Sequence, residues 1–360
     1  MDDKQVPNWL RRPTLMAANS MYLLALAGTV ILQLLLELAT RFIPGLTEEG
    51  ALWTQMYVAE LLFILLPTVL YAIPRKGVHL ALRLNPPPFK LMLCAALSAP
   101  VLALLSQALG GLWVMLILAL GGQPVGSAIP TPGDAASLAA MVLPVVILPG
   151  VCEELLFRGT ILSAWERRGP KAAIVASGLL FAGVHAFSGL PVYVLAGLTL
   201  GFIAVASDSL YVSMTFHSVY NLSALAIGML AARQTDVAAL DAVGIRFDLG
   251  YVVVFCVAAL TLGVLFFGTL LPFFEALRRR RLAFPRVDAE REAMDWPEYV
   301  VLAVGIASVL ALAYVMNFSG QTITIGTFIA GAGPAFAFFS PILGWIGTAV
   351  TGSDTSANAL

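Results

Sequence analysis

The chain has 360 residues, of which 59% are hydrophobic and only 11% charged, and its mean hydropathy is +0.90. A soluble core cannot absorb so much apolar surface, so the composition excludes a soluble globular protein and leaves the polytopic membrane class.

A helical crossing needs about 20 apolar residues. On that measure the chain reads as an all-α polytopic membrane helix bundle of about eight spans plus an extra C-terminal span, with crossings at 15–40, 52–73, 91–120, 137–163, 171–187, 191–207, 211–231, 249–275 and 299–316. The first run is too long for a signal-peptide core and lacks an A-x-A-like site, so it is expected to stay as an anchor. The third contains "SQALGG", which permits a bend. In the fourth, Pro149 and Gly150 are expected to kink the helix and free backbone carbonyls, which membrane proteins tolerate where they line a wet cavity.

Lys and Arg in the connecting segments set the orientation. With a cytoplasmic N-terminus, every basic residue except Arg41, Arg158, Arg233 and Arg246 falls on the inside, grouped within 4–12, 75–90, 167–171 and 278–291. This pattern suits a multi-pass protein of a bacterial-type inner membrane. Beside a span, the run Arg278 to Arg281 is a topology anchor, and no nucleic-acid partner is expected. Cys94, Cys152 and Cys256 all fall within apolar runs without metal-type spacing, and no disulfide is implied.

Against this background the polar residues inside spans are informative. Glu153, Glu154 and Arg158 of "CEELLFR" lie near mid-helix, where insertion costs about 2.5 to 3.5 kcal/mol each, a penalty that mutual pairing only partly offsets. Glu154 and Arg158 share a helix face at i, i+4 and can pair, whereas Glu153 points about 100° away and is left for chemistry. Of the three histidines, two lie within later spans. "FAGVH" puts Phe181 and His185 one turn apart in the fifth, and "HSVYN" puts His217 and Asn221 on one face of the seventh. A lone buried histidine is usually a packing residue, but two histidines, an asparagine and a glutamate at lipid depth form a constellation. Counted from the cytoplasmic ends at 1.5 Å per residue, they lie at depths of about 9 to 21 Å, which allows convergence.

The chemistry that suits these groups is hydrolysis by an activated water. A desolvated carboxylate is a stronger base than one in water, and imidazoles can hold the water, shuttle its proton or donate to an oxyanion, to which Asn221 adds an amide donor. Glu153, His185 and His217 could instead form a three-ligand zinc site open to water, although no H-E-x-x-H element is present. A zinc cofactor and a metal-free mechanism therefore both stand. Cys152 is a poor nucleophile candidate, since a neighbouring glutamate in sequence supplies no base at its sulfur.

Glu153-Glu154-x-x-x-Arg158, Phe181-x-x-x-His185 and His217-x-x-x-Asn221, in that order on successive helices, resemble the motif set of the CPBP intramembrane proteases, bacterial relatives of the CAAX-processing endopeptidases. The resemblance is strongest over 137–230, and the flanking helices fit a layout of about eight spans. It implies that Glu153 activates the water, His185 helps hold it, His217 and Asn221 form the oxyanion hole, and Glu154 with Arg158 supports them. That family is grouped with the metalloproteases.

From about Trp296 the chain changes character. "VLALAYVMNFSGQTITIGTF" and "FFSPILGWIGTAVTGSDTSANAL" resemble a stretch of the bacterial L-lactate permeases. The expected domains are thus 1–288, a protease-like bundle with its motif core at 137–230, and 289–360, a permease-like tail of one span and a Gly/Pro-broken apolar segment. The tail reads as a fusion remnant or a gene-boundary accident, because one helix and a broken segment cannot build the two-sided cavity that transport requires.

Two classes of function follow. One is an intramembrane endopeptidase that cuts a peptide or membrane-protein substrate near the cytoplasmic face. The other is a non-enzymatic membrane protein, either transporter-like or a partner-binding scaffold. Of the remaining polar residues, Glu60 and Glu37 are expected to pair within the bundle or line its cavity and His79 to be solvated. Asp236, Asp241 and Asp248 are too loosely spaced for a calcium site.

Overall fold

The computed structural model describes residues 13–73, 82–119, 129–234 and 247–283, and every regular element within them is a helix. In chain order these are α1 (Leu15–Phe42), α2 (Glu48–Ala72), α3 (Phe89–Ala119), α4 (Ala135–Arg168), α5 (Pro170–Val184), α6 (Ala186–Ser207), α7 (Leu210–Gln234), α8 (Leu249–Thr269) and α9 (Leu271–Ala283). Among the described residues, six stretches are long and apolar enough to cross a membrane: α1, α2, α3, α4, the Gly189–Ser207 part of α6, and α8 continued to Arg279. The all-α membrane bundle read from composition is the architecture found. The expected ninth span, 299–316, lies outside the described residues, as does the whole segment from 284.

Two of the expected spans are not among these six. The fifth, 171–187, is a helix of only 15 residues that ends at Val184, because His185 leaves helical geometry with φ −111° and ψ 8°. At 1.5 Å per residue α5 is too short to cross a bilayer core alone. The seventh, 211–231, is the helix α7, whose polar residues keep it out of that set. In the third span, where "SQALGG" permits a bend, α3 runs through as one helix. Gly111 serves close packing instead, since a Cβ there would run into the Phe255 ring of α8.

The kink expected in the fourth span takes a particular form. Two wide π-helical turns, Val142–Ile147 and Leu155–Ile161, interrupt α4 on either side of Leu148–Glu154. Pro149 lacks the N–H that would return to the Val145 carbonyl four residues earlier, and a wide turn absorbs that mismatch. The last turn, Glu166–Arg168, tightens to a 3₁₀ helix.

Around α4 the core is closely filled. Leu156, Phe157 and Ile161 of α4, Leu102 of α3, Leu200 and Ile203 of α6 and Phe216 of α7 are all buried in one cluster. The opposite behaviour marks α8, whose Leu260 and Val264 are 72% and 76% exposed. In water such a face would be an aggregation surface, whereas in a bilayer it is the lipid-facing side.

Where the chain enters α3, leaves α4 and turns from α6 into α7, a polar cluster ties three elements together. Arg83 is buried and pairs with Glu166 and with Asp208 at 3.4 Å, while its Nη1 donates to the Ser163 hydroxyl at 3.0 Å. Burial works against the Arg83 charge, but Glu166 and then Asp208 outweigh it and hold the guanidinium above its ordinary value. Arg83 and Asp208 both adopt left-handed backbone, with φ 54° and 55°. Their backbones are fixed by Leu210 N–H donating to the Arg83 carbonyl and Asn85 Nδ2 donating to that of Asp208.

Other polar expectations resolve simply. Glu37 lies on the exposed face of α1 with Arg41 at 3.5 Å and takes no part in an interior cavity. Asp248 caps α8 by accepting from the N–H groups of Gly250 and Tyr251. His79, Asp236 and Asp241 lie outside the described residues. Among the described residues Cys94, Cys152 and Cys256 are free thiols.

Candidate active site

The site is built where α4 passes between α2, α5 and α7. The short α-helical stretch Leu148–Glu154 between the wide turns carries Cys152, Glu153 and Glu154, all buried. Gly150 lets this stretch approach α7, because a Cβ there would collide with the Ser218 hydroxyl next to His217.

Glu154 and Arg158 pair as the i, i+4 spacing requires, with Nη1 to Oε1 at 2.8 Å and both side chains wholly buried. Arg158 also donates from Nη2 to the Gly197 carbonyl of α6 at 3.2 Å. Its guanidinium lies 4.4 Å from the centroid of the Phe181 ring. A buried charge survives only when paired and hydrogen-bonded, and here one guanidinium has a carboxylate, a carbonyl and an aromatic face.

The same Glu154 oxygen lies 3.0 Å from His217 Nδ1. An ionised carboxylate only accepts, so this geometry puts a hydrogen on Nδ1. The sequence paired Glu154 only with Arg158, and the structure adds His217. The far nitrogen, Nε2, is 3.8 Å from Glu153 Oε2, and His185 Nε2 is 3.7 Å from Glu153 Oε1. These separations exceed direct hydrogen bonding, so a polar contact across them calls for a bridging water. Glu153 Oε2 is buried without a hydrogen-bond partner among the described residues, as are Oε2 of Glu154 and of Glu60.

His185 sits at the break between α5 and α6 rather than inside a span. Its Nδ1 meets the Phe181 carbonyl at 3.0 Å, and its ring stacks on Tyr193 at 4.6 Å. A carbonyl accepts, so the hydrogen again belongs on Nδ1 and Nε2 faces Glu153. The Phe181 ring lies beside both imidazoles as well as Arg158, with ring centroids 4.8 Å from His185 and 5.8 Å from His217. It is therefore the aromatic wall between Arg158 and the two imidazoles.

Asn221 is placed one turn beyond His217, and its Nδ2 donates to the Val145 carbonyl at 2.9 Å. That is the carbonyl to which Pro149 cannot donate. One of the two Asn221 amide hydrogens is thereby committed. The structure thus gathers Glu153, Glu154, His185 and His217 and sets Asn221 beside them on α7, tied to α4.

Sequence reasoning undervalued Glu60. It lies in a third wide turn, Ala59–Leu65 of α2, is buried, and belongs to the segment that packs on the Leu148–Glu154 stretch of α4. A carboxylate inside the run "AELLFILL" was the signal, but only the packing of α2 on α4 brings it to the site.

The donors do not close around a zinc ion. The two imidazoles face different oxygens of Glu153, at 3.7 and 3.8 Å, which is wider than the edge of about 3.4 Å between ligand atoms in a tetrahedral zinc site. No group of three His, Cys, Asp or Glu among the described residues is arranged to hold a metal ion.

Comparison with known proteins finds two separate matches along the chain. Residues 135–223 match the family model for the type II CAAX prenyl endopeptidase Rce1-like proteins, and residues 296–360 match that for L-lactate permease. Over 68 residues the chain is 50% identical to the glycolate permease GlcA of Escherichia coli (strain K12), covering 19% of this chain and 11% of that protein. Over 55 residues it is 58% identical to the L-lactate permease of Bacillus subtilis (strain 168), covering 15% of this chain and 10% of that protein. The chain thus spans about a tenth of the length of these permeases. No solved structure matches the chain.

Proposed function

We propose that residues 1–288 form an intramembrane endopeptidase in which Glu153 activates a water to hydrolyse a peptide bond near the cytoplasmic face. The observation that carries this reading is a buried Glu153 oxygen without a partner, facing His217 Nε2, with His185 Nε2 on the other oxygen. The match of residues 135–223 to an endopeptidase family supports it.

In this mechanism Glu153 Oε2 takes a proton from the water while its oxygen bonds to the peptide carbonyl carbon, and His185 Nε2 accepts from the same water and orients it. The carbonyl π electrons move onto oxygen. His217, held at Nδ1 by Glu154, donates from Nε2 to that oxyanion, and the second amide hydrogen of Asn221 is the other donor. Glu153 then returns its proton to the departing nitrogen as the C–N bond breaks. Arg158 holds Glu154 in place throughout and does not touch substrate. The substrate is a peptide or a membrane protein in the bilayer, and the basic-residue pattern puts the N-terminus in the cytoplasm of a bacterial-type cell.

The full-length protein, reconstituted in lipid vesicles and incubated with a mixture of synthetic peptides, should produce new peptide termini by mass spectrometry at a rate unchanged by exhaustive chelation. Absence of cleavage, or a loss on chelation that zinc restores, would refute the metal-free scheme.

The match of 296–360 to the permeases favours a second reading, in which the tail takes part in transport of a small hydroxy acid. We take the tail to be dispensable, since it corresponds to about a tenth of a permease. Truncation after residue 288 should leave membrane insertion and peptide cleavage intact, and neither form should carry labelled lactate into cells lacking their own carrier. Uptake by the full-length protein that disappears on truncation would make transport the function.

A further inference from the structure

The structure assigns Tyr193 of α6 as a positioning residue for His185: its ring lies against the imidazole and sets the plane in which Nε2 is presented to Glu153. The assignment rests on the hydrolytic reading above and adds to it a residue outside the three motifs.

The need for such a residue follows from where His185 lies. His217 is held inside the core, with its side chain 5% exposed and its Nδ1 against Glu154. His185 follows the last residue of α5 and its side chain is 27% exposed, so burial holds it far less. Its Nδ1 meets the Phe181 carbonyl at 3.0 Å, which anchors one corner of the ring and leaves the rest to pivot about that corner. A pivot carries Nε2, on the other side of the ring, away from Glu153 Oε1.

Tyr193 removes that freedom. The Tyr193 and His185 ring centroids are 4.6 Å apart with planes 19° from parallel, so the two rings stack, while the Phe181 ring lies 4.8 Å away at 34°. Near-parallel rings at this distance attract each other. A swing of the imidazole out of this plane either collides with the Tyr193 ring or opens a gap beside it.

Tyr193 is itself fixed through the backbone. The chain leaves helical geometry at Gly189, and Pro191, whose ring presets φ for a first helical turn, starts the straight part of α6. Tyr193 thus comes at the end of α6 nearest the break that carries His185. One turn further on, α6 crosses α5 at close range. A Cβ on Gly197 would lie 2.6 Å from the Gly178 carbonyl oxygen, and one on Gly178 would lie 2.9 Å from the Leu198 nitrogen. Gly178 precedes His185 by two turns and Gly197 follows Tyr193 by one, so this crossing sets the register in which the two rings meet. Arg158 Nη2 donates to the Gly197 carbonyl, which ties the crossing to α4, the helix that carries Glu153.

The experiment uses the full chain in lipid nanodiscs, with Tyr193→Phe, Tyr193→Leu and Glu153→Gln variants. The chain has three histidines, so carbon-labelled histidine gives three sets of ring signals by NMR, without any substrate. The His185 signals, assigned by their loss in His185→Gln, should lie upfield of their position in denaturant because of the stacked ring. They should stay there in Tyr193→Phe and move downfield in Tyr193→Leu, while those of His217 do not move. On a quenched-fluorescence peptide chosen from the cleaved mixture above, Tyr193→Leu should lower kcat by about 10- to 100-fold with KM little changed, the size expected when a reacting group loses its alignment. Tyr193→Phe, which keeps the ring and lacks only the hydroxyl, should recover most of that loss. The assignment is overturned if the His185 signals of the intact protein are not upfield, if Tyr193→Leu keeps the full kcat, or if Tyr193→Phe is as slow as Tyr193→Leu. Should Tyr193→Leu fail to fold, the ring signals of the intact and Tyr193→Phe forms still decide. Full activity in Glu153→Gln would instead overturn the hydrolytic reading, and the NMR result would still show whether the stack exists.

Discussion

Glu153→Gln should lower the rate of peptide cleavage by about 10² to 10⁴ while the protein inserts and folds as the unmodified chain does. The substitution keeps the size and shape of the side chain and both of its neighbours' positions, but an amide cannot take the proton of water. Structure should survive because the essential buried pair, Glu154 with Arg158, is untouched. The new NH₂ group can still reach the acceptors that surround it, so no charge is stranded. Purified protein in vesicles, assayed on a cleaved peptide and checked by thermal unfolding, separates the two effects. A Glu153→Gln protein with a normal rate would remove this residue from the chemistry.

Arg158→Ala should act in the opposite way, through stability. The change leaves the Glu154 carboxylate wholly buried with the His217 imidazole as its remaining hydrogen-bond partner, and it removes both the donor to the Gly197 carbonyl and the cation over Phe181. Breaking a buried ion pair from one side costs about 3 to 5 kcal/mol, because the remaining charge has lost its counter-ion. Arg158→Leu combined with Glu154→Leu should be more stable than Arg158→Ala, since no unpaired charge remains, yet it should be inactive because His217 loses the carboxylate that holds its Nδ1. Thermal unfolding in detergent measures the first effect and peptide cleavage the second. An Arg158→Ala protein that unfolds at the unmodified temperature would show that the pair contributes little.

Much of this was legible before the structure, for a simple reason. Hydrocarbon depth makes charge expensive, so Glu153, Glu154, Arg158, His185 and His217 stood out against the apolar runs that hold them. The expected spans between residues 15 and 275 all fall on helix, and six of the eight are long and apolar enough to cross a membrane, because long apolar runs have little choice but to form helices in lipid. Other features depend on distances that a sequence does not carry. The stretch "FAGVHAFSGL" stays apolar through the end of α5, so nothing in its composition announces that the helix stops at Val184 and places His185 at a break. The three wide turns are only partly announced: Pro67 and Pro149, each the second residue past a wide turn, hint at Ala59–Leu65 and Val142–Ile147, whereas Leu155–Ile161 has no proline in or just after it.

Partners across helices were the least accessible. Glu154 was paired with Arg158 by spacing, but its second contact, His217, depends on how α7 lies against α4. Asn221 was visible as a polar residue one turn from His217, and its bond to the Val145 carbonyl needed the register of two helices. The stacking of Tyr193 on His185 and the place of Phe181 between Arg158 and both imidazoles are packing outcomes of the same kind.

The most direct measurement is a comparison of protein termini, by mass spectrometry, in membranes of cells making either the intact protein or its Glu153→Gln form at equal levels. A set of new termini in membrane-associated proteins, present with the intact protein and absent with Glu153→Gln, is the result expected of an endopeptidase that works through this carboxylate. Identical termini in the two cell populations, with both forms folded and inserted, would contradict it.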